Sequence, residues 1–145
     1  MKLALRSTAS SSATRWQRLQ SALIGWRMCS AFCHGGIVVG DLLLHATPGG
    51  GLHATADWNP SKWTLIDFGP ARDAQALALF DANVGAPYDW LGVLGFVLPW
   101  VRGKKNSLYC FEWCALALGV PPARWMTPEL LLTRIAMTGG RDAGQ

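Results

Sequence analysis

The stretch His34-Gly35-Gly36-Ile37-Val38-Val39-Gly40-Asp41-Leu42-Leu43-Leu44-His45-Ala46 decides how the rest of the chain is read. Two apolar runs, His34 to Val39 and Leu42 to Ala46, flank Gly40-Asp41, and such a pair between strand-like runs predicts a two-residue hairpin. With that turn Val39 faces Leu42 and, counting outward, Gly36 faces His45. Cross-strand partners point to one side of a sheet, and so do residues two apart on one strand. His34 and His45 are therefore expected on one face, in diagonal reach of each other. Ile37, Val39, Leu42 and Leu44 fill the opposite, apolar face. A slip of one residue in the turn would move His45 to the wrong side.

Working outward, Met1 to Thr14 reads as a flexible Ser- and Ala-rich tail. Arg15 to Arg27 reads as an amphipathic helix, with Trp16, Leu19, Leu23 and Trp26 at helical spacing. Such a face beside arginines suits peripheral contact with a membrane, and packing on the domain is the plainer alternative. Pro48 to Pro60, with Gly49-Gly50-Gly51, reads as a loop, and Trp63 to Phe68 as a third strand. Ala71 to Val84 has helical periodicity and is stopped by Gly85-Ala86-Pro87. Trp90 to Leu98 is expected to be a short buried helix, followed by a basic loop from Val101 to Ser107. Cys110 to Leu118 predicts another buried helix, closed by Gly119. Thr127-Pro128-Glu129 supplies a cap, a first-turn proline and an acidic first turn for a last helix to about Met137. The expectation is one α+β domain over 15–138, with tails at 1–14 and 139–145.

Composition narrows the function classes. The chain has 145 residues, half of them hydrophobic, with eight tryptophans, so it can bury a real core. A formal charge of +4 suits a solvated rim or an anionic group, and no nucleic-acid-binding motif accompanies it. Leu91 to Val101 is the most hydrophobic segment and is interrupted by Gly92, Gly95 and Pro99, short of the roughly 20 residues a membrane span needs. The N-terminal residues do not read as a secretory signal, so the four cysteines are read as thiols in a reducing cytoplasm.

Cys110 carries the chemistry in this reading. It follows the turn or strand Ser107 to Tyr109 and opens a helix, where unpaired N–H groups and the helix dipole favour negative charge. Both are expected to lower the thiol pKa and to stabilise the oxyanion of acyl transfer. One histidine of the hairpin then accepts the proton while the other orients it, the logic of a catalytic triad. Cys114, one helical turn on, reads as core filler, as do Cys29 and Cys33. His53 reads as a rim residue of its loop.

The hairpin from His34 to Ala46 resembles the histidine hairpin of permuted NlpC/P60 and lecithin:retinol acyltransferase-like proteins. Tyr109-Cys110-Phe111-Glu112-Trp113 is similar to the cysteine motif of the YaeF/YiiX-type branch, where Cys-Ser-Glu is usual. Gly85-Ala86-Pro87-Tyr88-Asp89-Trp90 resembles the Gly-x-x-Tyr-Asp segment of short bacterial and phage-associated members. The resemblance covers His34 to Gly119. It implies a permuted papain-like fold with Cys110 as nucleophile, His34 as base and His45 as the orienting third member. Glu112, Tyr88, Asp89 and Phe111 fall in supporting or substrate-binding positions, with helix capping the simpler role for Asp89. The usual Trp-Ser-His is Phe32-Cys33-His34 here, and Phe111 replaces the serine beside the nucleophile.

The expected activity is a cysteine hydrolase of the amidase or peptidase kind, with acyl transfer as a variant. Its substrates would be peptides, cell-wall fragments, acyl lipids or thioesters, and it would need no cofactor or metal. Trp90 to Trp100 would line a pocket for a chain. Two alternatives come from other classes. One is a catalytically silent papain-like binding protein of phage or prophage origin. The other is structural zinc held by Cys29, Cys33, His34, Cys110 and Cys114, at looser spacing than a zinc ribbon.

Overall fold

The computed structural model describes residues 1–7, 30–123 and 125–139. The chain forms an α+β structure around a five-stranded antiparallel sheet. The strands are β1 (Lys2–Ser7), β2 (Phe32–Val39), β3 (Leu42–Thr47), β4 (Gly51–Thr55) and β5 (Thr64–Asp67), in the spatial order β4-β3-β2-β1-β5. Four helices follow among the described residues: α1 (Asp73–Asn83), α2 (Trp90–Gly95), α3 (Cys110–Ala117) and α4 (Pro128–Gly139).

The hairpin register is Val39↔Leu42, Val38↔Leu43 and Ile37↔Leu44. Gly40 holds φ +57 at the turn, a region that a residue without a Cβ enters freely.

Two expectations along the first 60 residues are corrected. The tail expected over 1–14 is, in its described part, strand β1, and it lies between β2 and β5. Its alternation explains this: Leu3 and Leu5 are buried in the main core, while Ala4 belongs to the opposite face. The loop expected from Pro48 to Pro60 contains strand β4, paired to β3 with His45 directly opposite His53. Pairing partners distant in sequence supply what the short segments lack. The amphipathic helix expected over 15–27 and Cys29 lie outside the described residues, as do residues 140–145 of the expected C-terminal tail.

One sheet face is covered by α1 and α3, where Ile37, Leu44, Leu52 and Trp113 are fully buried. Burying a side chain of leucine size stabilises by about 1.5–3 kcal/mol, and this face buries the larger of the two clusters. Trp113 also donates its indole N–H to the Leu44 carbonyl at 2.9 Å and meets Phe80 of α1 at 6.1 Å between ring centres. Helix α3 can approach β2 because residue 35 is glycine. A Cβ there would stand 2.8 Å from the Phe111 ring and 3.2 Å from the Cys114 sulfur. The other face carries Ala4, Val38 and Leu43 under Trp58 and Trp63.

Helix α4 starts as its sequence predicts, with the Thr127 hydroxyl accepting the Leu130 N–H at 3.1 Å. Helix α2 departs from expectation. Its glycines 92 and 95 are buried, whereas Trp90, Leu91 and Leu94 are exposed, so the helix is not a buried one. Among the described residues no helix is long and apolar enough to cross a membrane.

Candidate active site

The histidines come together because of sheet register. Extending the hairpin pairing by one step sets Gly36 opposite His45, and His34 sits diagonally across from it. A Cβ on residue 36 would stand 3.1 Å from the His45 Cβ and 2.8 Å from a Leu43 methyl, so only glycine leaves the gap open. Across that gap His34 Nε2 lies 3.0 Å from His45 Nδ1. His45 Nε2 in turn lies 3.0 Å from Thr55 Oγ1, which β4 places two residues beyond His53. The three side chains form one hydrogen-bonded series across β2, β3 and β4.

The series is packed under aromatic rings and beside a cation. Trp63 lies 5.7 Å from the His34 ring and 6.4 Å from the His45 ring, centre to centre. Arg6, paired to His34 across β1 and β2, places its guanidinium 6.0 Å from the Trp63 ring centre. Burial, then His45, Arg6 and His53, push the His34 pKa down to about 3. Burial and then His53 push His45 down to about 4. Both imidazoles are neutral at pH 7.

Cys110 is the first residue of α3, after Tyr109 with extended backbone (φ −99, ψ 168). Its sulfur is bonded by the backbone of Gly35, the residue that follows His34, and by the backbone of Phe111 and of Cys110 itself. Helix packing thus brings the thiol to β2 from the face of Gly35 and Ile37. His34 lies on the other face with Val38 and Trp63, so the thiol and the His34 ring stand on opposite sides of the strand. The expected low thiol pKa is overturned. The residue is 5% exposed, and burial pushes the thiol up to about 12 despite those backbone bonds. Desolvation of the thiolate outweighs the helix start.

The supporting residues divide by role. Burial and then Cys110 raise the Tyr88 phenol far above its ordinary value, with Asp89 and Glu112 adding to it, so Tyr88 neighbours the thiol. It is held there by a parallel bridge to Leu108, two residues before Cys110. Glu112 Oε2 accepts the Tyr109 N–H at 3.4 Å, and burial pushes its carboxyl up to about 7.

Asp89 is buried and caps α2. Its Oδ1 accepts the Gly92 N–H at 3.0 Å and the Lys104 N–H at 3.1 Å. Phe111 is buried in the core and packs on Gly35, beside the Cys110 helix start. Cys114 is buried, with its thiol raised well above the usual range by burial and then Cys110. Cys33 donates to the Arg6 carbonyl at 3.6 Å.

Sequence reading missed His53, Thr55 and Arg6 as neighbours of the site. Alternation in Leu52-His53-Ala54-Thr55 was the signal for the first two, hidden by the glycines before it. Among the described residues no group of three or more His, Cys, Asp or Glu is placed to hold a metal ion, and Cys29 of the zinc alternative lies outside them.

These features define an α+β protein with a buried thiol at a helix start on one face of the sheet and a hydrogen-bonded histidine pair on the other. Comparison with family models, with curated proteins and with solved structures finds no match.

Proposed function

We propose that the chain is a cysteine-dependent hydrolase of permuted papain-like order, in which the histidine hairpin precedes the cysteine helix. The observation that carries this is the series His34–His45–Thr55, ending on β2 beside the glycine whose backbone meets the Cys110 sulfur. Two half-buried neutral imidazoles cost stability at acid pH, and groups with lowered pKa values of this kind cluster at functional sites.

The proton bookkeeping follows from the hydrogen bonds. For His34 Nδ1 to act as a base, His34 carries its proton on Nε2 and donates it to His45 Nδ1. His45 then carries its own proton on Nε2 and donates it to Thr55 Oγ1. In this reading a substrate carbonyl is attacked by the Cys110 sulfur while His34 Nδ1 takes the thiol proton. That proton passes to the leaving amine, alcohol or thiol as its bond to the acyl carbon breaks. Water then cleaves the thioester and regenerates the thiol. Thiol and imidazole both rest neutral and on opposite sides of β2, so in this reading a movement that brings them together precedes attack. Amides of peptides and cell-wall fragments, acyl lipids and thioesters are all chemically suited.

The test is acylation by a p-nitrophenyl ester and a thioester probe, read by intact and peptide mass. Acyl adduct on Cys110 is expected in the parent and in Cys114→Ala, and its absence in Cys110→Ala and His34→Ala. Equal turnover in Cys110→Ala and the parent overturns the assignment. The sulfur's burial favours a second reading, a papain-like binding protein without turnover, and folded parent that takes no acyl group from either probe would support it.

A further inference from the structure

Helix α2 and the loop after it are built inside out relative to an ordinary surface helix. The small residues face inward: a Cβ on Gly92 would run into the Asp89 carboxylate, and one on Gly95 would stand 2.9 Å from the Val101 carbonyl and 3.3 Å from the Trp125 indole nitrogen. Phe96 turns inward as well, meeting Tyr109 at 5.7 Å between ring centres. The large apolar residues face outward. Trp90 is 53% exposed, Leu91 46%, Leu94 42%, Val97 46% and Trp100 75%. At 100° per residue, Trp90, Leu91 and Leu94 share one side of the helix, and Val97 and Trp100 follow in the turn after it. Scattered exposed leucines are ordinary, whereas this many large apolar groups on one short segment mark an interaction surface.

Charge identifies the partner. The Asp89 carboxylate that caps α2 also accepts the Lys104 N–H, and Gly103 packs on it and on Gly92. The loop is thereby pinned against the first turn of α2, with Arg102, Lys104 and Lys105 exposed. No acidic residue occurs between Trp90 and Leu108. Tryptophan and aliphatic side chains rimmed by cations match the acyl boundary and anionic headgroups of a bilayer.

We propose that the outward side of Trp90–Lys105 docks on an anionic membrane surface. The inference does not rest on the hydrolase reading, because the side chains it turns on, Leu94, Trp100 and the three cations, are not among the residues around the thiol, although Trp90 meets Tyr88. Docking is shallow, with Trp100 and Leu94 entering the headgroup region and the three cations staying at the phosphate level.

The experiment is flotation of the full chain with vesicles of phosphatidylcholine alone, or with three parts in ten phosphatidylserine, at low and high salt. Binding is expected to the anionic vesicles, weakening as salt rises. The triple variant Arg102→Gln, Lys104→Gln, Lys105→Gln is expected to bind about a hundredfold more weakly. The double variant Leu94→Ser, Trp100→Ser is expected to lose more than about tenfold while staying folded, as its unfolding temperature checks. Absence of binding to anionic vesicles at low salt overturns the proposal. So does binding that survives both variants, which would assign it to another part of the chain. A dimer in sedimentation that dissociates in the Leu94→Ser, Trp100→Ser variant would make this face an interface between copies, and also overturns it.

Discussion

His34 and His45 meet nitrogen to nitrogen, Nε2 to Nδ1 at 3.0 Å, across a residue that has no side chain. Gly36 stands opposite His45 and two residues from His34, so the pair is diagonal and the gap between strands is filled by the rings themselves. A methyl group there would press on Leu43 and on the His45 Cβ.

Gly36→Ala is therefore expected to destabilise the fold by about 1–3 kcal/mol through overpacking, and to separate the two rings. Denaturant unfolding gives the first number, and imidazole nitrogen NMR shows whether the shared-proton signal is lost. An alanine variant with unchanged stability and unchanged ring signals would show that the gap is not required.

Stability should fall with acidification through a window set by these rings. In the unfolded chain both histidines titrate near 6.5, whereas folded His34 is pushed down to about 3 and His45 to about 4. Between those limits the unfolded state binds more protons, so stability rises with pH and is lost as pH falls from about 6.5 toward 4. Thermal unfolding across pH 4 to 7 is expected to show that slope, and His34→Gln with His45→Gln to flatten it. A flat parent profile would contradict burial of neutral rings.

Thiol labelling should be slow at Cys110 despite its place at a helix start. Burial pushes that thiol up to about 12 and holds Cys114 well above its usual range, while Cys33, also raised by burial, is only half-buried and so more open to a reagent. Alkylation at pH 8 followed by peptide mass analysis is expected to modify Cys33 first, then Cys110, then Cys114. Denaturant should make the three rates equal. Fast labelling of Cys110 below pH 8 in the folded chain would mean that the site opens.

Asp89 holds two segments with one oxygen. Asp89→Ala removes the acceptor for both Gly92 and Lys104 and is expected to cost about 1–2 kcal/mol, the usual value of a lost cap. Asp89→Asn keeps that oxygen and should retain most of the stability. Hydrogen exchange at the Lys104 amide should rise in the alanine variant and not in the asparagine one.

Much of this architecture was legible locally. The Gly40-Asp41 turn, the face shared by His34 and His45, the helix opening at Cys110, the Asp89 cap and the Thr127 start are each set by backbone preferences and periodicity over a few residues. Strand β1 was less so, because six alternating residues running into serines carry a weak signal until β2 and β5 pair with both edges. His53 and Thr55 were hidden likewise by the glycines that precede β4.

The sequence by itself thus determined the hairpin, its register and the residue types brought to it. Tertiary structure alone decided the state of the groups: whether the Cys110 thiol is solvated, whether the histidines are charged, and which side of α2 meets water. The reason is physical. Dihedral preference and side-chain period act within a segment, whereas desolvation depends on what distant segments place over it. At Cys110 that cover, from β2 and the core around α3, reversed the pKa expected from the helix start.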